Sequence, residues 1–169
     1  VKVLKQYRGS NIQWRLSEAP LVLEDRMLVN AGGTIVALKK TDGTNIWTTK
    51  GDEAGYSSAV IQKSGDVTQA IFFTGSRVMG VDVSSGRELW SYTPVANRTA
   101  NIATPIVRGN RVFVSSDYGT GAALLDLTKS GNNVSAKEVY FTRQMRNHHA
   151  TSILVGDYLY GFSSAILTA

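Results

Sequence analysis

Short apolar runs recur along the chain, each bounded by Gly, Asn, Asp or Ser. They are rich in Val, Ile, Thr and Tyr, which suit a pleated, half-buried strand, and no long amphipathic helical stretch interrupts them. Four segments share one pattern of small-polar, apolar, turn, apolar: SEAPLVLEDRMLV, YSSAVIQKSGDVTQAIFF, IATPIVRGNRVFV and HATSILVGDYLYG. Their turns fall at Glu24-Asp25, Gly65-Asp66, Gly109-Asn110 and Gly156-Asp157. The last three dipeptides suit hairpin turns, which need positive φ. A strand–turn–strand unit follows each segment. GTIVALKKTDGTNIW (33–47) and SRVMGVDVSSGRELW (76–90) align without a gap, setting Gly43 on Gly86 and Trp47 on Trp90. A third copy spans 121–141, with a longer turn and Tyr140 near the Trp position, and a fourth begins at 163.

Each unit therefore holds four short strands in a period of roughly 40–45 residues, the size of a propeller blade. A β-sandwich also has many short strands, but it predicts no gapless repeat. The pattern predicts an all-β chain: a β-propeller segment of four-stranded antiparallel blades, about four of them, over 14–50, 55–93, 100–142 and 147–169. The last blade is incomplete. One blade cannot bury both of its faces, so neighbours must cover each other, with Trp47 and Trp90 wedged between them. Val1 to Lys5 read as an apolar strand, so residues 1–6 are expected to be the outer strand of a preceding or closing blade. The polar, Gly/Asn-rich stretch 128–137 reads as an exposed loop.

Composition narrows the function classes. At 43% hydrophobic and 18% charged, 169 residues can fill a core. Cysteine is absent, which removes disulfides, thiolate catalysis and Cys-ligated zinc. No run of about 18 apolar residues exists to span a membrane as a helix. The net charge of +5 is dispersed: Arg98, Arg108, Arg111, Arg143 and Arg146 form no single run, so a solvated surface is expected and no specific nucleic-acid partner. The chain shows neither an initiator Met nor a signal-peptide pattern, which predicts a longer gene product or a mature chain.

Loops entering the inner strands of a propeller gather at one mouth of its channel, where ligand sites commonly lie. The repeat places those loops at 13–18, 53–58, 98–103 and 145–151. They offer Trp14 and Glu18, then Tyr56 and Ser57, then Arg98 and Asn101, then Asn147, His148 and His149 as candidate ligand-binding residues. His148 and His149 are the only histidines. On an extended segment they would point to opposite faces, one into the channel wall and one between blades, so no shared metal site is expected. No Gly-x-Ser-x-Gly elbow, Walker loop or dinucleotide fingerprint occurs, and no catalytic residue is assigned.

Ala37-Leu38-Lys39-Lys40-Thr41-Asp42-Gly43-Thr44-Asn45-Ile46-Trp47 and Val81-Asp82-Val83-Ser84-Ser85-Gly86-Arg87-Glu88-Leu89-Trp90 resemble the pyrroloquinoline-quinone (PQQ) repeat, Ala-Leu-Asp-x-x-x-Gly-x-x-x-Trp. The chain is similar to bacterial PQQ-like propeller proteins. That resemblance implies a ring of seven or eight blades, of which this chain is about half. It implies that the remaining blades come from a longer chain or from a second copy completing the ring. It also implies an exported protein, periplasmic or otherwise extracytoplasmic. The repeat is shared by a non-enzymatic scaffold of outer-membrane assembly and by quinoprotein alcohol and sugar dehydrogenases, so it does not itself imply the cofactor. The scaffold reading predicts a protein or small-molecule ligand at the mouth and no cofactor. The dehydrogenase alternative implies PQQ with Ca²⁺. Its ring of adjacent cysteines and its Glu, Asn and Asp calcium ligands have no match here.

Overall fold

The computed structural model describes residues 2–169, and their strands form four antiparallel sheets in chain order. The first holds β1 (Leu21–Leu23), β2 (Arg26–Asn30), β3 (Thr34–Lys39) and β4 (Asn45–Lys50). The second holds β5 (Val60–Ser64), β6 (Val67–Phe73), β7 (Val78–Asp82) and β8 (Glu88–Tyr92). The third holds β9 (Ile106–Arg108), β10 (Arg111–Ser116), β11 (Gly121–Ser130) and β12 (Asn133–Thr142). The fourth has three strands, β13 (Ile153–Val155), β14 (Tyr158–Ser163) and β15 (Ile166–Thr168). Each sheet is an up-and-down meander, the blade of a propeller. Gly65, Gly109 and Gly156 open the first hairpin turn of their blades at φ near +60°, and Glu24 takes the same left-handed conformation in the first blade.

Period-two alternation feeds two interfaces from one strand. Along β6, Ile71 and Phe73 face the third blade while Ala70 and Phe72 face the first. Trp47 is 9% exposed and packs with Val81 and Val83 of the second blade, and its indole N–H donates to the Val83 carbonyl at 2.9 Å. Trp90 is 6% exposed and packs with Val112, Val114 and Leu125 of the third blade. Its N–H donates to Gln69 Oε1 (2.6 Å), Gln69 donates to Gln62 (2.7 Å), and Gln62 donates to the Gly109 carbonyl (3.0 Å). A buried amide relay thus carries the second wedge into the next blade.

The register explains how a Trp fits there. Trp47 lies opposite Ala37, and Trp90 lies opposite Gly80. A Cβ on Gly80 would collide with the Trp90 indole. In the third blade Tyr140 lies opposite Leu124, which leaves no room for a ring on the sheet, and Tyr140 stays 44% exposed.

Two expectations are corrected. Lys2–Gln6 form a short helix, α1, instead of a strand; Val1 lies outside the described residues. Val3 and Tyr7 stand one helical turn apart, the Tyr7 N–H donating to the Val3 carbonyl (3.0 Å), and both pack on Ala31, Val36 and Leu38 of the first blade. The stretch 128–137 is no loop but the tip of a long hairpin, with Thr128 opposite Ser135 and Ser130 opposite Asn133. Val134 anchors it by reaching the core beside Val67 and Leu127.

Candidate functional site

Strand direction alternates within each blade, so the loops leading into β1, β5, β9 and β13 share one end with the β2–β3, β6–β7, β10–β11 and β14–β15 turns. Hydrogen bonds stitch this end together. The Ala19 N–H donates to the Ser58 hydroxyl (3.0 Å), the Tyr56 N–H to the Asn101 carbonyl (2.9 Å), and the Thr104 N–H to the Thr151 hydroxyl (2.9 Å).

Several sequence-selected residues build this end from inside. Asn101 is buried; it accepts from the Asn97 N–H (3.0 Å) and donates to the Thr74 carbonyl (2.9 Å). Asn147 is buried, donates to the Phe162 carbonyl (3.0 Å) and accepts from the Ser152 hydroxyl (2.8 Å). Ser57 is buried and donates to the Ser58 carbonyl (3.3 Å). Their polar atoms are spent on the fold. The Glu18 carboxylate accepts the Asn30 N–H at the end of β2, and burial raises it to about 7. It lines neither cleft described below.

The others surround open space. Trp14, Ser17, Tyr56, Ala100, Ile102, Tyr118 and His149 line one cleft of about 270 Å³. The Trp14 and Tyr56 rings lie 5.6 Å apart, tilted by 55°, and the Trp14 backbone N–H donates to the Tyr56 hydroxyl (3.3 Å). Arg98 lines a neighbouring polar cleft of about 120 Å³ that shares Tyr56 and Ala100 with the first.

The histidines correct the expectation that they diverge. Their rings lie 3.8 Å apart and 37° from parallel. The segment is a bend, so strand alternation does not apply to it. His148 Nε2 lies 2.9 Å from the Tyr118 hydroxyl, with the two rings edge to face, and His149 is exposed. Among the described residues, no three His, Asp or Glu side chains come together as metal ligands would.

Tyr118 is the residue sequence reasoning missed. It sits in the β10–β11 turn at φ +55°, a conformation uncommon outside Gly, and is 46% exposed. The signal was available: in a four-stranded meander the second turn lies at the same end as the loops entering the first strand.

A family model described as outer membrane protein assembly factor BamB matches residues 10–169. The crystal structure of BamB from Moraxella catarrhalis superposes with a TM-score of 0.66 at 19% identity, covering 89% of this chain and 48% of that one. The chain thus spans about half the length of that structure. A europium-containing methanol dehydrogenase aligns over 76% of this chain and 24% of that one at 15% identity, with a TM-score of 0.48, too low to bear on the site. No curated protein sequence matches the chain. With sheets, wedges and repeat in agreement over nearly its whole length, the chain belongs to the BamB family of PQQ-like β-propellers.

Proposed function

We propose that the protein is a non-catalytic, BamB-like propeller that acts as a scaffold or binding module through the mouth of its channel. One observation carries this reading: rings from separate mouth segments, Trp14, Tyr56, Tyr118 and His149, converge on a single cleft while neighbouring polar residues are consumed by the fold. Aromatic side chains that stay open at a concave surface are typical anchors for a partner. Its partners belong to outer-membrane assembly, as the family description suggests, and it works in the periplasm or another extracytoplasmic space. The remaining blades of the ring, from a longer chain or a second copy, are partners too. They would cover Ile153, Tyr158 and Ile166, which stand exposed on the last sheet. No helix of the described residues is long and apolar enough to cross a membrane.

The cofactor that gives the repeat its name does not fit these residues. A quinone–calcium site needs several oxygen ligands converging on a hard cation. The cleft is lined by no carboxylate, and no acidic or histidine triad exists among the described residues.

Photocrosslinking in the native cell tests the reading. A photoreactive residue at Ser17, in the mouth, is expected to give a discrete adduct with another envelope protein, and one at Lys63, on β5, none. Equal adducts from both positions, or none from Ser17, would overturn it. A visible titration with PQQ and Ca²⁺ is expected to show no saturable binding; saturation followed by dye-linked alcohol or sugar oxidation would replace this reading with the dehydrogenase one.

A further inference from the structure

Two clefts open side by side at the mouth, with Tyr56 and Ala100 as their common wall. The smaller, of about 120 Å³, is lined by one anion and one cation, Glu53 and Arg98. Both side chains are exposed, and among the described residues neither enters an ion pair, with the other or with a third group. The carboxylate next in sequence behaves differently. Arg77 donates to Asp52 at 2.6 Å and to Glu88 at 2.7 Å, so Asp52 is spent on the fold while Glu53 is not. The backbone under each free charge is held in place. The Asn97 side chain accepts the Thr99 and Ala100 N–H groups, both at 2.7 Å, and donates to the Ala100 carbonyl at 2.8 Å. The Gly75 N–H donates to the Glu53 carbonyl at 2.8 Å. A site fixed in this way before a ligand arrives has less ordering left to lose on binding.

Opposite charges that line one cleft without pairing suit a ligand that carries both. A lone carboxylate would meet Arg98 but bring its charge beside Glu53, and a lone ammonium would meet Glu53 but bring its charge beside Arg98. A zwitterion answers both with charge-assisted hydrogen bonds. The cleft is small, so the two charges belong on a short head such as the ammonium and carboxylate of an α-amino acid. The larger cleft, of about 270 Å³, continues from the shared Tyr56 and Ala100 and takes the side chain. Trp14, Ile102 and Tyr118 give it an apolar body, while Ser17 and His149 bring hydrogen-bonding groups, so size and not polarity sets the preference there.

We propose that the two clefts form one site for a free α-amino acid with a bulky side chain, its carboxylate on Arg98 and its ammonium on Glu53. The proposal rests on the reading of the mouth as the binding face. Calorimetric titration with L-phenylalanine tests it against three analogues: N-acetyl-L-phenylalanine, which lacks the ammonium, L-phenylalanine amide, which lacks the carboxylate, and L-alanine, which lacks the ring. L-Phenylalanine is expected to bind saturably and at least about tenfold more tightly than each of them. Arg98→Gln and Glu53→Gln are each expected to weaken it by at least about tenfold. The unfolding midpoint should stay unchanged, because both side chains are exposed and unpaired. The two variants also assign the charges: Arg98→Gln should cost the amide nothing further, and Glu53→Gln should cost the N-acetyl compound nothing further. No saturation by L-phenylalanine, or full affinity in both variants, would overturn the site. So would equal affinity for any analogue; for the N-acetyl compound or the amide, that result would give the cleft to a peptide terminus instead. If L-phenylalanine fails while the Ser17 adduct still forms, the amino-acid site alone is wrong. If neither is seen, the binding face fails with it.

Discussion

The molecule uses the same residue types in two opposite ways. Between the blades, Trp47 and Trp90 are buried, face a small residue across the sheet, and have their indole N–H groups satisfied. At the mouth, Trp14 and Tyr118 are 53% and 46% exposed, and their rings border open space. A buried aromatic contributes through the area that it removes from water and the contacts that it makes. An exposed one contributes little to stability, so its place needs another reason. The contrast separates residues that hold the propeller together from residues that meet a partner.

The sharpest way to break this contrast is to delete the wedges. Trp47→Ala and Trp90→Ala should each cost about 3–5 kcal/mol in urea unfolding, because each leaves a cavity between blades. A loss near the surface scale of about 0.5 kcal/mol would erase the distinction.

The small residue opposite each wedge is the next lever. Gly80→Ala places a methyl group against the Trp90 indole and the Gln69 amide, and should cost about 1–3 kcal/mol through overpacking. Neutrality at Gly80 would mean that Trp90 shifts freely, which the relay from Gln69 to Gln62 opposes.

Glu18 gives a pH-dependent lever at the border between the two regions. Burial raises its carboxyl from 4.5 to about 7, so the folded protein retains a proton that the unfolded chain releases. Its contribution is fully present below 4.5 and is lost as pH rises through about 7. Glu18→Gln should flatten the pH dependence of stability over that window by roughly 3 kcal/mol, while the amide oxygen can still accept the Asn30 N–H. An unchanged slope would show that the carboxyl is solvated.

Tyr140 tests whether wedge position or wedge burial matters. It occupies the Trp position of the third blade but faces Leu124 and lies beside a cleft of about 180 Å³. Tyr140→Ala should cost less than about 1 kcal/mol. A loss equal to that of Trp47→Ala would mean that position alone decides.

The fold was legible because repetition multiplies a weak signal. One Asp-Gly turn and one Trp say little, but Gly43 with Trp47 and Gly86 with Trp90 at one spacing specify a blade and its wedge. The mouth loops were legible for the same reason, since strand parity places them. Side-chain direction inside those loops was not. Asn101 and Asn147 resemble ligand contacts in sequence, yet their amides are held by backbone groups, those of Asn97 and Thr74 for the first and that of Phe162 for the second. His148 and His149 share one side because a bend has no fixed period. The α1 segment alternates like a strand over too few residues to separate the two periods, and the hydrogen bond from the Tyr7 N–H to the Val3 carbonyl decides. Tyr118 escaped because it lies in a turn, outside the loops that the repeat singled out.

The central claim is that mouth rings serve a partner and wedge rings serve the fold. Trp14→Ala tests it most directly, with its unfolding free energy set beside the yield of the Ser17 adduct. The account predicts stability within about 0.5 kcal/mol of the parent, together with loss of the adduct. A variant destabilised like Trp47→Ala, or one that keeps the adduct at full yield, would contradict it.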